Sequence, residues 1–347
     1  MKKRIIGLDI LRVIGVIFIF CYHFTDSYVL YGGKGERIFD WLSFFSILSR
    51  PASLFLFIIS GYALMYNREN ELPLRDYCLR RFKGLYIPFY VAYGLMVAVG
   101  AVLLGWRPWK MVPLYKIIFT ILGIDGLVAN FTTDYYLIGE WFMSCIVICY
   151  LLFPVLAYLI KRDKYVTFVG LLLIYLFIGY FINPIELSVF TNPLFILVYF
   201  YVGMLCHELL ANGGTPKWVK AGCLVAACGI CVFYIIAGFL AHNKLMMLSE
   251  NGLEFLDFIW ALSMIVLFRD MDLSEGNIFA KIIRYLSQIS WYVILVHHVL
   301  AFIYFNKCGA SKSILKDFVI ILVLSIIFAE LVRCISTIIK RLLFRKN

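Results

Sequence analysis

From Ile5 to Val29 the chain reads IIGLDILRVIGVIFIFCYHFTDSYV, a run long and apolar enough to cross a bilayer. Similar runs recur along the whole sequence, near 40–66, 85–105, 136–160, 165–183, 193–210, 218–240, 253–268, 285–305 and 314–338. Few folds are open to such a chain. In hydrocarbon every backbone N–H and C=O must be satisfied within the segment or in a closed barrel, so apolar runs of about 20 residues become helices. The pattern predicts an all-α polytopic integral membrane protein of about ten transmembrane helices. The 347 residues are 63% hydrophobic and only 15% charged, where a soluble domain has roughly half and a quarter. No polar stretch is long enough to fold separately. Residues 1–347 therefore read as a single transmembrane domain with no appended soluble domain.

The net charge of +11 does not point to nucleic acid, because the basic residues sit at the ends of apolar runs rather than on a soluble face. There they act as topology signals and as contacts for membrane lipid headgroups. With the N-terminus inside, most Lys and Arg fall on inner segments: Lys2–Arg4, 67–84, 161–164, 207–220, 269–284 and the tail after Arg333. This asymmetry places both termini in the cytoplasm; the expected location is the cell (plasma or inner) membrane. The N-terminal Met-Lys-Lys-Arg before a long apolar run reads as a retained signal anchor. The ten cysteines are scattered through apolar segments, and Cys228-x-x-Cys231 lies within a span, where small apolar filler is the simplest role. The outer segment 106–135 contains KMVPLYKIIFTILGIDGL, too short to span, and reads as an interfacial or re-entrant helix over the outer mouth.

The first run carries Asp9, Arg12 and His23 inside its span. Ionisable groups in hydrocarbon cost several kcal/mol, about 2.5 or more each, unless paired or hydrated, so they mark functional candidates. Arg12 and His23 are nearly three helical turns apart and share a face, separated by about 16 Å along the axis. A histidine can take a proton from a hydroxyl; an arginine can hold an anion or oxyanion. Asp9, one turn before Arg12, can pair with it. The same trio would also serve as a structural charge network. Arg80, Arg81 and Lys83 form an inner basic cluster at a helix start, suited to phosphates or simply to anchoring. His297 and His298 lie in the ninth run. Neighbours on a helix are about 100° apart, so at most one should face a lumen, and the pair lacks metal-ligand spacing. Glu140 with Trp141 opens the fourth run and could meet a polar acceptor or be ordinary interfacial residues. Glu330 and Arg333 should pair one turn apart. Ser60-Gly61 should allow close helix packing. No metal site, P-loop or nucleophile elbow appears.

These pieces together resemble the membrane-bound acyltransferase family 3. The resemblance rests on LDILR with Arg12–x10–His23, on the Phe55 to Tyr62 part of LFLFIISGYAL, and on Arg80-Arg81-Phe-Lys83 running into Tyr86 and Pro88. It rests also on EWFMSCIVICYLLFPVL and on ISWYVILVHHVL. The segments lie in the family's order over nearly the whole chain. Where the family often has Arg-x-x-Arg, this chain has Arg80-x-x-Lys83, and Val299 replaces the proline that commonly follows the histidines.

The resemblance implies an O-acyltransferase. Acyl-CoA, acetyl-CoA by preference, would be the donor substrate, with its phosphates on Arg80, Arg81 and Lys83. The acceptor would be a hydroxyl of a cell-surface carbohydrate or related molecule. His23 would be the general base, Arg12 would stabilise charge or orient the donor, and Asp9 would orient Arg12. Glu140, Trp141, His297 and His298 are candidates for the lumen or the acceptor side. The competing reading is a transporter or flippase for an anionic solute using the same polar lumen.

Overall fold

The structure is a computed structural model and describes residues 4–33, 48–67, 71–129, 131–177, 192–210, 214–241, 254–274 and 277–344. The described residues contain helices and no strand. The long helices are α1 (Ile6–Leu30), α2 (Ser49–Tyr66), α3 (Leu74–Leu104), α7 (Glu140–Arg162), α8 (Lys164–Leu176), α9 (Pro193–Leu210), α10 (Lys217–Ala241), α11 (Glu254–Phe268), α12 (Ile278–Cys308) and α13 (Ile314–Leu343). Three short α-helices lie between α3 and α7, α4 (Pro108–Met111), α5 (Ile117–Leu122) and α6 (Asp125–Val128), with a 3-10 turn at Leu114–Lys116. Every expected run falls on one of these ten long helices among the described residues. Seven of these are long and apolar enough to cross a membrane: α1, α3, α7, α9, α10, α12 and α13. Helices α8 and α11 are apolar but have 13 and 15 residues. Residues 40–47 and 178–183 of the expected second and fifth runs lie outside the described residues.

One boundary differs in a way that matters. Helix α3 starts at Leu74 rather than near 85. Pro73 precedes it in an extended conformation, Asp76 sits in the first turn where the dipole favours a carboxylate, and the Leu and Arg that follow are good helix formers. Hydropathy hides these polar turns. Arg75, Arg80, Arg81 and Lys83 are therefore part of a long helix, not of a loop leading into one.

The chain gathers into two compact units. The first comprises Met1–Ile19, Phe44–Leu72 and Ile148–Ser287; the second comprises Phe20–Ser43, Pro73–Val147 and Gln288–Asn347. Helices α1, α7 and α12 contribute residues to both.

In the first unit, α2 and α9 meet backbone to backbone. A Cβ at Gly61 would lie 2.0 Å from the Phe200 carbonyl oxygen, and one at Gly203 would lie 1.9 Å from that of Ile58. Small residues give membrane helices this close approach where lipid supplies no hydrophobic drive, as expected for Gly61. Gly61→Ala is expected to cost about 1–3 kcal/mol, since a backbone oxygen cannot move aside like a side chain. Gly94→Ala in α3, where a Cβ would meet nothing within 4 Å, should leave stability almost unchanged. Thermal unfolding of the two purified variants checks both. Trp260 of α11 is buried against Phe18 and Phe55 and donates to Cys231 Sγ at 3.2 Å; all ten cysteines are free thiols.

In the second unit, Phe20, Phe24 and Tyr28 of α1 pack with Ala301 and Phe305 of α12 and with Ile314 and Ile321 of α13. Helix α13 buries a stripe at three- and four-residue spacing that includes Ile321, Ser325, Ala329 and Val332. Arg333 pairs with Glu330 at 2.6 Å, as their spacing predicts.

The segment between α3 and α7 is bound along α3. The hydroxyls of Tyr86, Tyr90 and Tyr93 donate to the carbonyls of Leu122, Ile121 and Tyr135 at 2.9, 2.5 and 2.8 Å. Tyr86 lies eighteen residues before the end of α3, about 27 Å at the helical rise. The segment therefore folds back along much of a 31-residue helix. Gly126 lets it touch α7, since a Cβ there would fall 2.3 Å from the Trp141 backbone. Ser144 of α7 donates to the Gly123 carbonyl at 3.0 Å.

Candidate active site

Helix α1 carries a polar cluster in each unit. In the first unit Asp9 is 3% exposed and is not held mainly by Arg12. Arg4 Nε and Nη2 donate to its carboxylate at 2.5 and 2.8 Å, and the Ser287 hydroxyl donates at 2.6 Å. Arg12 Nη1 stands 3.6 Å from Asp9 and donates instead to Ser287 Oγ at 3.1 Å. The expected Asp9–Arg12 pair is therefore the long edge of a network that includes Arg4 and Ser287. Sequence reasoning missed both: Arg4 lies before the apolar run, and Ser287 is 278 residues away. Two guanidiniums around one carboxylate leave the cluster cationic, so it can still attract an anion. On α2 and α7, Ser60 and Tyr150 bring their hydroxyls within 3.4 Å of each other.

In the second unit His23 faces both histidines of α12. Its ring centroid lies 5.0 Å from that of His297 and 5.4 Å from that of His298. One ring placed in the 100° arc between neighbours on a helix reaches both. Open space is shared unequally: His297 is 4% exposed, while His23 and His298 are partly exposed. His297 Nδ1 stands 2.9 and 3.0 Å from the carbonyl oxygens of Val293 and Ile294. A carbonyl only accepts, so Nδ1 carries the proton and, in the neutral ring, Nε2 keeps its lone pair. That Nε2 is buried without a partner.

The start of α7 closes on the same cluster. Gly139 has φ +77 and brings its backbone near the His298 ring, within 3.8 Å of a Cβ position. Only glycine adopts that conformation without strain. Glu140 is fully buried. Its carboxylate accepts the amides of Leu137 and Ile138 at 2.9 and 3.0 Å, so it fixes the turn rather than standing free. Trp141 contributes its backbone to the Gly126 contact and its ring to Phe142, 5.7 Å away. In the segment between α3 and α7 Asp125 is fully buried, accepts from the Thr120 hydroxyl at 3.0 Å, and has one oxygen without a partner. Burial pushes its carboxyl up to about 6; the Thr120 hydrogen bond opposes the shift and neighbouring Asp134 adds to it.

The inner cations do not form one cradle. Successive residues turn 100°, so Arg81 and Lys83 point away from each other while Arg80 lies near Lys83. The Arg81 guanidinium sits over the Tyr77 ring at 5.9 Å, and Lys83 Nζ sits over Phe344 at 3.8 Å. Arg80 is exposed. Among the described residues no group of three or more His, Cys, Asp or Glu could hold a metal ion.

Compared with known proteins, residues 5–333 match the model of the Acyl_transf_3 family, described as an acyltransferase domain. No curated protein and no solved structure matches the chain.

Proposed function

The chain belongs to the Acyl_transf_3 family of acyltransferases, and on that premise we propose that it moves an acyl group, acetyl by preference, from cytoplasmic acyl-CoA to a hydroxyl of a cell-surface carbohydrate. The observation that carries this reading is the partly exposed His23 ring packed between two histidines. A neutral imidazole beside a second one with a fixed tautomer is suited to act as a general base. His23 takes the proton of the acceptor O–H. The acceptor oxygen bonds to the thioester carbonyl carbon, the C–S bond breaks, and the proton on His23 passes to the departing thiolate. His297, anchored through Nδ1–H, presents Nε2 to steady the imidazolium. Arg12, eleven residues earlier on α1, offers a fixed cation to the donor. Arg80 and Arg81 near the start of α3 suit its phosphates, with both termini in the cytoplasm.

The purified protein incubated with radiolabelled acetyl-CoA and a panel of cell-surface glycans tests this. Label appearing on a glycan, or released as acetate by slow hydrolysis, is expected. Label that stays on intact acetyl-CoA, together with uptake of an anionic solute into reconstituted vesicles, would establish the transporter reading instead.

A further inference from the structure

Helices α3 and α13 bound an open cleft of about 540 Å³ in the second unit, away from the histidines in sequence and made of different chemistry. Its lining is Lys83, Thr337, Lys340, Arg341, Leu342 and Phe344. Three of these six are cations and none is a carboxylate. None of the three cations has a carboxylate partner among the described residues, whereas Arg4, Arg12, Arg50 and Arg333 are all paired. The Thr337 hydroxyl is committed to the Arg333 carbonyl at 2.7 Å. Ligand donors in the cleft are therefore the two ammoniums and the guanidinium, a set that selects a multivalent oxyanion.

The setting identifies which oxyanion. Helix α13 is one of the helices able to cross a membrane; Lys340 and Arg341 stand in its last turn, and Lys83 comes from α3. Opposite its buried stripe it exposes a second, apolar stripe at near four-residue spacing: Val323, Ile327, Leu331, Ile338 and Leu342, between 42% and 69% exposed. That stripe ends at the cleft, where Leu342 lines it. A ligand with a phosphate at one end and hydrocarbon at the other matches both features at once: charge in the cleft, acyl chains along α13. Basic pockets between membrane helices at headgroup depth hold anionic lipids by this division of labour. We propose that the α3–α13 cleft is a binding site for the headgroup of an anionic phospholipid. It goes beyond the acyltransfer reading and does not depend on it. It also assigns Lys83 to the lipid rather than to the donor, and it adds Lys340 and Arg341, which charge counting along the sequence treats only as topology signals.

The test uses the full-length protein in a neutral detergent, titrated with phosphatidylglycerol or with phosphatidylcholine and read by native mass spectrometry. At least one phosphatidylglycerol should be retained under conditions that strip phosphatidylcholine. In the triple variant Lys83→Gln, Lys340→Gln, Arg341→Gln its apparent affinity should fall roughly a hundredfold, about fivefold for each cation. The exposed basic pair at the end of α7 provides the control, and Lys161→Gln with Arg162→Gln should leave the retained lipid in place. Each variant is first shown to be folded by helical circular dichroism and a single gel-filtration peak; Arg341→Gln alone, at an exposed position, gives a fivefold readout if the triple variant fails that check. Equal losses in the control and triple variants would mean general charge attraction and would overturn the proposal. Displacement of the lipid by coenzyme A, one for one, would also overturn it, since the cleft would then be the donor's seat. Neither result would bear on transfer at His23, which the acetyl-CoA assay judges separately.

Discussion

His23→Ala protein is expected to fold, to bind acyl-CoA as the parent does, and to transfer acyl groups about a hundredfold to ten-thousandfold more slowly, the range a positioned acid–base group contributes. Folding should survive because His23 is partly exposed and its contacts are ring edges rather than hydrogen bonds; Tyr22, His297 and His298 lie 5.0 to 5.4 Å away by centroid. The loss should appear in kcat more than in KM for the donor, because a base acts on the acceptor proton in the transition state. His23→Gln is the sharper control. It keeps size and hydrogen bonding but cannot take a proton, so it should be as slow as alanine. His297→Gln should be milder, since an amide can still bond to the Val293 carbonyl, and His298→Gln tests the open side of the cluster. Labelled acetyl transfer by each variant, with donor binding measured in parallel, separates these outcomes. Undiminished transfer by either His23 variant would remove the base role and leave the cluster a packing feature.

The reach of the sequence follows from the range of its signals. Spacing along one helix is a local property. It placed His23 and Arg12 on one element, Glu330 beside Arg333, and Gly61 at a close crossing. Hydropathy located the long helices among the described residues, but it ended α3 at its apolar part because polar turns lower the average although they continue the helix. Partners across the bundle were out of reach. Ser287 for Asp9 and Asp257 for Arg50 lie hundreds of residues off, and only the packed helices bring them together. The two histidines of α12 show the same limit from another side. A helical wheel separates them by 100°, yet a third ring set between them touches both. Glu140 opens an apolar run, so the sequence left it either a contact for a polar acceptor or an ordinary interfacial carboxylate. It is instead buried, with its oxygens taken by the amides of Leu137 and Ile138. The segment between α3 and α7 was visible as an apolar run too short to span; what binds it, three tyrosines along α3, was not.

The other large expected effect concerns stability. Arg50 Nε donates to Asp257 Oδ2 at 2.7 Å, Asp257 is fully buried, and the Tyr234 hydroxyl donates to its other oxygen. This network ties α2, α10 and α11 within the first unit. Removing one member leaves the other charge in a dry site. Asp257→Leu should therefore destabilise by about 3–5 kcal/mol, and Arg50→Leu by a similar amount because the buried carboxylate loses its cation. The double variant is the informative one. Two charges replaced by apolar groups of comparable size remove the desolvation cost together with the attraction, so Arg50→Leu/Asp257→Leu should recover most of the loss. Tyr234 limits that recovery, since its hydroxyl would then be buried without an acceptor at a cost of about 1–3 kcal/mol; adding Tyr234→Phe should return stability nearly to the parent value. Unfolding midpoints of the four proteins in one detergent give the cycle. Additive losses in the double variant would show that Arg50 and Asp257 act independently, and the pair would no longer account for how these three helices are held.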